Sequence, residues 1–170
     1  LHLRQRSDVT VREYVISPYY IAAREGKYYL ICNNNKFDNI ANYRLDRIQE
    51  IRILDEPVKP FGTLKWAHGR TLDITQYMRE HPYMFSSDNI RAKFRADRGM
   101  ITDIVDMFGE NPMFVDADEN TVTVSTYANQ MALEQFARNF APNVIMLEPK
   151  SLVDKVRRDF EAILKAMEEK

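Results

Sequence analysis

The residues best placed to do chemistry lie in "NYRLDRIQEIRIL", Asn42 to Leu54, where Arg44 and Arg47 stand three apart among Tyr43, Leu45, Ile48, Ile51 and Ile53. The apolar members are large, and several are β-branched or aromatic, so the stretch reads as β structure. A guanidinium cannot shed its charge, and a half-buried strand is a costly place for two unless each has a partner. Two accounts follow. Either Asp46 or another acid pairs with them at the surface, or they present a fork for an anion from outside. Three residues apart, they face opposite ways in an unbroken strand, so a bend or bulge near Asp46 is needed to converge them.

Around this pair the same half of the chain supplies what a nucleotide or single strand requires: cations for phosphate and flat rings on which bases stack. Lys36 adds charge, Asn33 to Asn35 offer amide donors and acceptors, and Tyr19, Tyr20, Tyr28, Tyr29 and Tyr43 offer rings. On spacing alone, core tyrosines with surface ion pairs are the simpler account.

Other chemistries find less support. His2, His68 and His81 have no metal-ligand spacing and no cysteine partner, so no zinc is expected. "DADENT", Asp116 to Thr121, opens like a calcium loop but has Thr121 where glycine is needed and Tyr127 where the bidentate glutamate belongs; a hairpin turn explains it better. Asp103 and Asp106 share a helix face without a base, nucleophile or phosphate loop beside them. Ser17, Ser86, Ser87 and Ser125 lack a nucleophile-elbow context, and Cys32 sits in a hydrophobic strand as a structural thiol. No enzyme activity and no cofactor are expected.

The elements that hold these residues follow from composition and pattern. With 170 residues, 45% hydrophobic, the chain has ample material for packed cores. Its net charge of -1 excludes a global field of the kind that binds DNA or anionic lipid indiscriminately. Any polyanion site must be local, and residues 1–54 carry nine Lys or Arg against six Asp or Glu. One cysteine excludes an internal disulfide and fits a reducing cytoplasm, and neither a membrane span nor a signal peptide is read.

The first half reads as short strands: "REYVISPYYIAA", with Pro18 marking an edge or a bend, then a glycine turn at Arg24 to Lys27, then "YYLIC". Strand at Tyr43 to Ile48 and Glu50 to Leu54 follows, and strands so spaced suggest a small barrel. "LDITQYMREHP" predicts a short helix ending at Pro82.

In the second half "NIRAKFRAD" alternates as a half-buried strand whose outer face carries Arg91, Lys93 and Arg95. A helix with Ile101, Ile104, Val105 and Phe108 on one stripe stops at Gly109, strands "MFVDA" and "TVTVSTY" flank a turn, a helix spans about Ala128 to Phe140, and "NVIML" closes the set. That order is the ferredoxin-like βαββαβ unit. Ser151 with Asp154 suggests a capping box for a last helix striped by Leu152, Val156, Phe160, Ile163, Leu164 and Met167. The two halves differ in grammar, which predicts two domains, 1–85 and 86–170, in an α+β chain.

"VISPYYI", "GKYYLIC" and "NYRLDRI", in that order, resemble the WYL domain of bacterial transcriptional regulators, with Tyr28, Tyr29 and Leu30 at the three naming positions over roughly residues 10 to 80. Residues 88–170 are similar to the C-terminal extension called WCX. The resemblance implies an Sm-like, SH3-type β-barrel that senses a nucleotide or single-stranded nucleic acid effector and controls an attached DNA-binding domain. Duplex DNA is then a partner only through an N-terminal helix-turn-helix that this sequence lacks, and a cytoplasmic homodimer is implied. Arg44 and Arg47 occupy the family's basic ligand positions. In the loop, where many members carry an aromatic, a histidine and an arginine, this chain has Asn33, Asn35 and Phe37, with Lys36 as a substitute charge. The expected ligand set is therefore Arg44 and Arg47, with Lys36, Tyr28, Tyr19 and Asn35 as weaker members and Arg91, Lys93 and Arg95 as a secondary basic surface. Oligonucleotide, mononucleotide and cyclic dinucleotide all fit. A protein–protein dimerisation module without a small ligand is the alternative.

Overall fold

Two blocks of short strands give the chain two compact units, Leu1–Tyr77 and Met78–Lys170, in a computed structural model that describes residues 1–6, 11–67 and 69–169. His68 lies outside the described residues. Both sheets are antiparallel, and the chain is α+β.

The first unit is a five-stranded sheet of β1 (His2–Arg6), β2 (Val11–Arg24), β3 (Lys27–Asn34), β4 (Ile40–Arg44) and β5 (Ile48–Arg52), in the order β4-β3-β2-β1-β5. β2 serves two ladders: Val11 to Val15 pair with β1, and Ile16 to Arg24 pair with β3. Within the second ladder a register shift at Pro18 and Tyr20 bends the strand. The bend expected of Pro18 is thus present. The edge position is not, since β2 lies inside the sheet, and the bulge absorbs the missing donor instead. Glu25 and Gly26, both at positive φ (50° and 72°), make the tight turn into β3, the geometry that matches strand twist in a two-residue hairpin.

One face of the sheet buries Ile16, Leu30 and Cys32 with Tyr14, Tyr43, Leu45 and Ile48 against them. On the opposite face Ile31 and Asn33 are fully buried. There Tyr77 of α1 (Ile74–Glu80) donates its hydroxyl to Asn42 Oδ1 at 2.9 Å. Asp73 starts α1 by accepting from the Gln76 amide. β4 and β5 are the outer strands; among the described residues no ladder joins them, and a 3₁₀ turn at Leu45–Arg47 carries the chain from one to the other. The continuous strand expected over Tyr43 to Ile48 is interrupted there.

The second unit follows the expected order: β6 (Asn89–Asp97), α2 (Ile101–Phe108), β7 (Met113–Ala117), β8 (Thr121–Asn129), α3 (Gln130–Asn139), β9 (Val144–Glu148) and α4 (Lys150–Glu168). Its sheet order β7-β8-β6-β9 is the split βαββαβ arrangement. Phe94, Phe108 and Phe136 are fully buried at its centre, and Phe108 and Phe136 meet edge to face at 5.0 Å. Asn129 caps α3 by accepting from the Ala132 amide. Gly109, at φ 65°, ends α2 as expected.

Two local expectations need correction. Val105 is exposed, whereas Ile104 and Phe108 are buried and Ile101 and Met107 pack against the same core. The capping box of Ser151 and Asp154 does not form: α4 begins two residues earlier, with Pro149 in place of Ser151 at its N-cap, and the Asp154 carboxylate pairs with Lys150.

Candidate functional site: an arginine turn and a polar loop

β4 ends at Arg44, and the 3₁₀ turn that follows places Arg44, Asp46 and Arg47 within one bend of the chain. This is the bend that the spacing required. Asp46 occupies it: Arg44 donates Nε to Asp46 Oδ1 at 3.0 Å and Nη2 to Oδ2 at 2.5 Å, a bidentate pair. The Arg44 hydrogen bonds hold the Asp46 carboxyl below its ordinary value, and the nearby Arg47 charge adds to the effect. Asp46 and Arg47 are exposed, whereas Arg44 is half-buried. The surface ion pair and the exposed cation therefore coexist at one turn.

The other expected members lie elsewhere. Arg44 is opposite Tyr29 in the β3–β4 ladder, while Lys36 and Asn35 lie beyond Asn34 at the far end of the same hairpin. Four residue steps, from Ile40 to Arg44, separate those ends, about 13 Å along β4. Tyr28 is exposed next to the β2–β3 turn, and by strand alternation it projects to the face opposite Arg44. Tyr19 sits in the β2 bulge, edge-on to Phe61 at 5.5 Å, with its hydroxyl donated to the Lys59 carbonyl at 2.8 Å. Burial raises its pKa to about 12. The structure thus brings Arg44 and Arg47 to one turn and Lys36, Asn35 and Tyr19 to a second region, with Tyr28 apart from both. Arg91, Lys93 and Arg95 belong to the second unit, on the solvent side of β6, where Lys93 pairs with Glu148 and Arg91 lies opposite Tyr127.

The second region is built by asparagines. Asn33 Nδ2 donates to the carbonyls of Phe37 and Asn39 at 2.9 and 2.7 Å, and Asn34 Oδ1 accepts from the Lys36 amide at 3.1 Å. Asn34 Nδ2 donates to the Tyr43 hydroxyl at 3.1 Å, while burial raises the pKa of that phenol to about 12. Two of the three asparagines offered as ligand donors therefore shape the loop instead.

Asp38, not singled out from sequence, ties the loop to the segment after β5. It accepts Lys59 Nζ at 2.7 Å and the Lys65 amide at 3.1 Å, and these hydrogen bonds, that of Lys59 foremost, lower its pKa. Ser17 completes the tie by accepting from the Lys59 amide at 2.9 Å. No local pattern announces a pairing across so many residues.

The calcium-like "DADENT" is a turn: Asp118 accepts from the Asn120 and Thr121 amides at 2.8 and 2.6 Å. Among the described residues no group of three His, Cys, Asp or Glu is placed to hold a metal ion, and no helix is long and apolar enough to cross a membrane.

With this geometry in hand, comparison with known proteins is direct. Residues 1–53 match the WYL domain. The resemblance read from the three motifs is borne out over the first sheet, and the arginine turn lies within the residues that match the WYL domain. A solved structure described as a CRISPR Cas-related protein shares the fold, with a TM-score of 0.59 at 15% identity over 99% of this chain and 47% of that one. Proteasome accessory factor B/C (PafBC) of Arthrobacter aurescens aligns over 97% of this chain and 24% of its own, at 18% identity and a TM-score of 0.41. The chain thus spans about half the length of the first of these and about a quarter of the second. No curated protein matches the chain.

Proposed function

We propose that this chain is the effector-sensing region of a transcriptional regulator, binding a nucleotide or single-stranded nucleic acid through Arg44 and Arg47. The observation that supports the reading is the turn Leu45–Arg47, which has Arg44 at its start and Arg47 at its end within the residues that match the WYL domain. Asp46 does not forbid it. A carboxylate this exposed holds an arginine weakly, because water screens the pair, so a phosphate bridging both guanidinium groups competes on favourable terms.

Lys36, Asn35 and Tyr19 are then peripheral contacts for a ligand long enough to run along the hairpin, and Tyr28, which projects from the opposite face, lies off that path. Arg91, Lys93 and Arg95, with Tyr127 opposite, are a second basic surface. The strand order and the single turn joining β4 to β5 support a small Sm-like, SH3-type barrel, and the second unit fits a WCX extension. The output is control of an attached helix-turn-helix in the cytoplasm.

The deciding experiment is fluorescence anisotropy of labelled short single-stranded DNA and RNA, competed with mononucleotides and cyclic dinucleotides, on the wild type and the Arg44→Gln/Arg47→Gln chain. Salt-sensitive binding lost in the double variant supports the proposal. Absence of binding by a folded wild type, or binding indifferent to the double variant, overturns it.

The second reading, a protein–protein dimerisation module without a small ligand, is favoured by one observation: from Glu161 onward every described residue of α4 is exposed, including Ile163, Leu164 and Met167.

A further inference from the structure

The face of the first sheet that carries Arg44 continues toward the closed end of the β2–β3 hairpin, and cations collect there. Arg44 lies opposite Tyr29 of β3, Tyr29 lies opposite Ala22 of β2, and Arg24 and Lys27 form the closing pair beside the Glu25 and Gly26 turn. Residues paired across a ladder share a face, as do residues two apart along a strand, so Arg44, Tyr29, Lys27 and Arg24 project to one side. Arg44 and Lys27 are diagonal neighbours, about 7 to 8 Å apart at Cα, and Arg24 lies about 5.5 Å across from Lys27. Tyr29 fills the corner between Arg44 and Lys27.

The two cations of the closing pair are uncommitted. Lys27 is exposed, Arg24 and Tyr29 are half-buried, and among the described residues Arg24 and Lys27 form no ion pair and Tyr29 meets no other ring. The nearest acids along the chain are Glu25, within the turn itself, and Asp46, already engaged by Arg44. Like charges set directly opposite each other in a ladder are destabilising, so this closing pair gains from any anion placed between its two side chains.

We propose that Arg24 and Lys27 form a second phosphate site, which the effector reaches from the arginine turn with a base stacked on Tyr29. This rests on Arg44 and Arg47 being phosphate ligands, and it narrows what the effector is. A nucleoside monophosphate held at the turn has no further phosphate to offer Lys27 and Arg24. A linear single strand has a phosphate on each side of every internal nucleoside, so one phosphate at the turn delivers another to the closing pair. The ligand class is a short oligonucleotide that runs toward the hairpin tip, away from Lys36 at the opposite end of β3.

The test is anisotropy of a labelled hexathymidylate on the full chain, competed with unlabelled thymidine monophosphate and with oligothymidylates of two to six nucleotides. In the wild type the longer strands are expected to compete about tenfold better than the monophosphate, the worth of one charge-assisted contact. Arg24→Gln/Lys27→Gln is expected to remove that advantage and to flatten log K against log salt for the hexamer by about 0.7, one phosphate contact on a single strand, while the monophosphate competes as before. Arg24→Lys/Lys27→Arg keeps both charges and is expected to keep the affinity, as is Lys36→Gln. Tyr29→Leu is expected to weaken the hexamer about tenfold with an unchanged salt slope, because stacking releases no counterions. A hexamer indifferent to Arg24→Gln/Lys27→Gln overturns the proposal. So does an equal loss for the monophosphate, or a loss in Arg24→Lys/Lys27→Arg as large as in the neutral pair. Where Arg44→Gln/Arg47→Gln still abolishes binding in those cases, the second site fails alone; where the wild type binds no strand, the effector reading fails with it.

Discussion

Asp46→Asn separates the two accounts of the arginine turn. Asp46 takes Nε and one Nη2 hydrogen of Arg44, leaves the other guanidinium hydrogens uncommitted to it, and lies near enough to the exposed Arg47 to feel its charge. An external phosphate must displace that carboxylate or share the guanidinium with it. Asparagine keeps the shape and removes the charge. Because exposed ion pairs contribute little, the gain in affinity is expected to be modest, about two- to fivefold at low salt. Arg44→Gln/Arg47→Gln is expected to weaken binding beyond detection at physiological salt, and any binding left at low salt should show a slope of log K against log salt flattened by about 1.4, roughly 0.7 for each phosphate contact removed from a single strand. Anisotropy titrations at several salt concentrations measure both. The pH dependence follows from the same pair. The folded-state pKa of Asp46 is depressed, so the pairing is complete above the ordinary carboxylate value and is lost as pH falls through the lower folded one. Between about pH 5 and 8 the ratio of variant to wild-type affinity is therefore expected to be flat. If Asp46→Asn leaves affinity unchanged or lowers it while the fold is intact, Arg44 serves as the structural partner of Asp46 and the phosphate fork is refuted.

Three further outcomes test the framework that holds the turn. Phe136→Ala removes a fully buried ring that meets Phe94, Phe108 and Phe140 at 5.7, 5.0 and 4.8 Å; a loss of about 3 to 5 kcal/mol in urea unfolding is expected, and a loss under about 2 contradicts the packing. Asp38→Asn should release the segment from Lys59 to Lys65, seen as faster exchange of the Lys65 amide. In the wild type the same release should appear only in acid, as pH falls through the depressed Asp38 pKa. Cys32 is fully buried, and burial foremost raises its thiol pKa to about 12, so a disulfide reagent should label it at the rate of unfolding and no faster.

How much of this was legible in the sequence depended on how far each signal reached. Alternation and turn chemistry are local. β6 therefore appears at Asn89–Asp97 where "NIRAKFRAD" placed it, and the Glu25 and Gly26 turn closes the expected hairpin. The order of elements in the second unit followed for the same reason. β1 escaped because "HLRQR" has no apolar run, and its place between β2 and β5 comes from pairing with distant strands. Pro18 marked a bend but not its position in the sheet, since a bulge inside the sheet absorbs a missing donor as well as an edge does.

The site was read with the same asymmetry. That Arg44 and Arg47 need a bend follows from strand parity, and a 3₁₀ turn supplies one. How the polar side chains around them are used does not follow, because a polar side chain takes its role from the donor or acceptor it meets, and those partners are set by the fold. Asn33 and Asn34 are committed to loop carbonyls, an amide and Tyr43, and Asp38 to Lys59 and Lys65. With those groups occupied, Arg44 and Arg47 are the two basic residues of the Leu45–Arg47 bend, within the residues that match the WYL domain, and Asp46 is the competitor an anion would meet there.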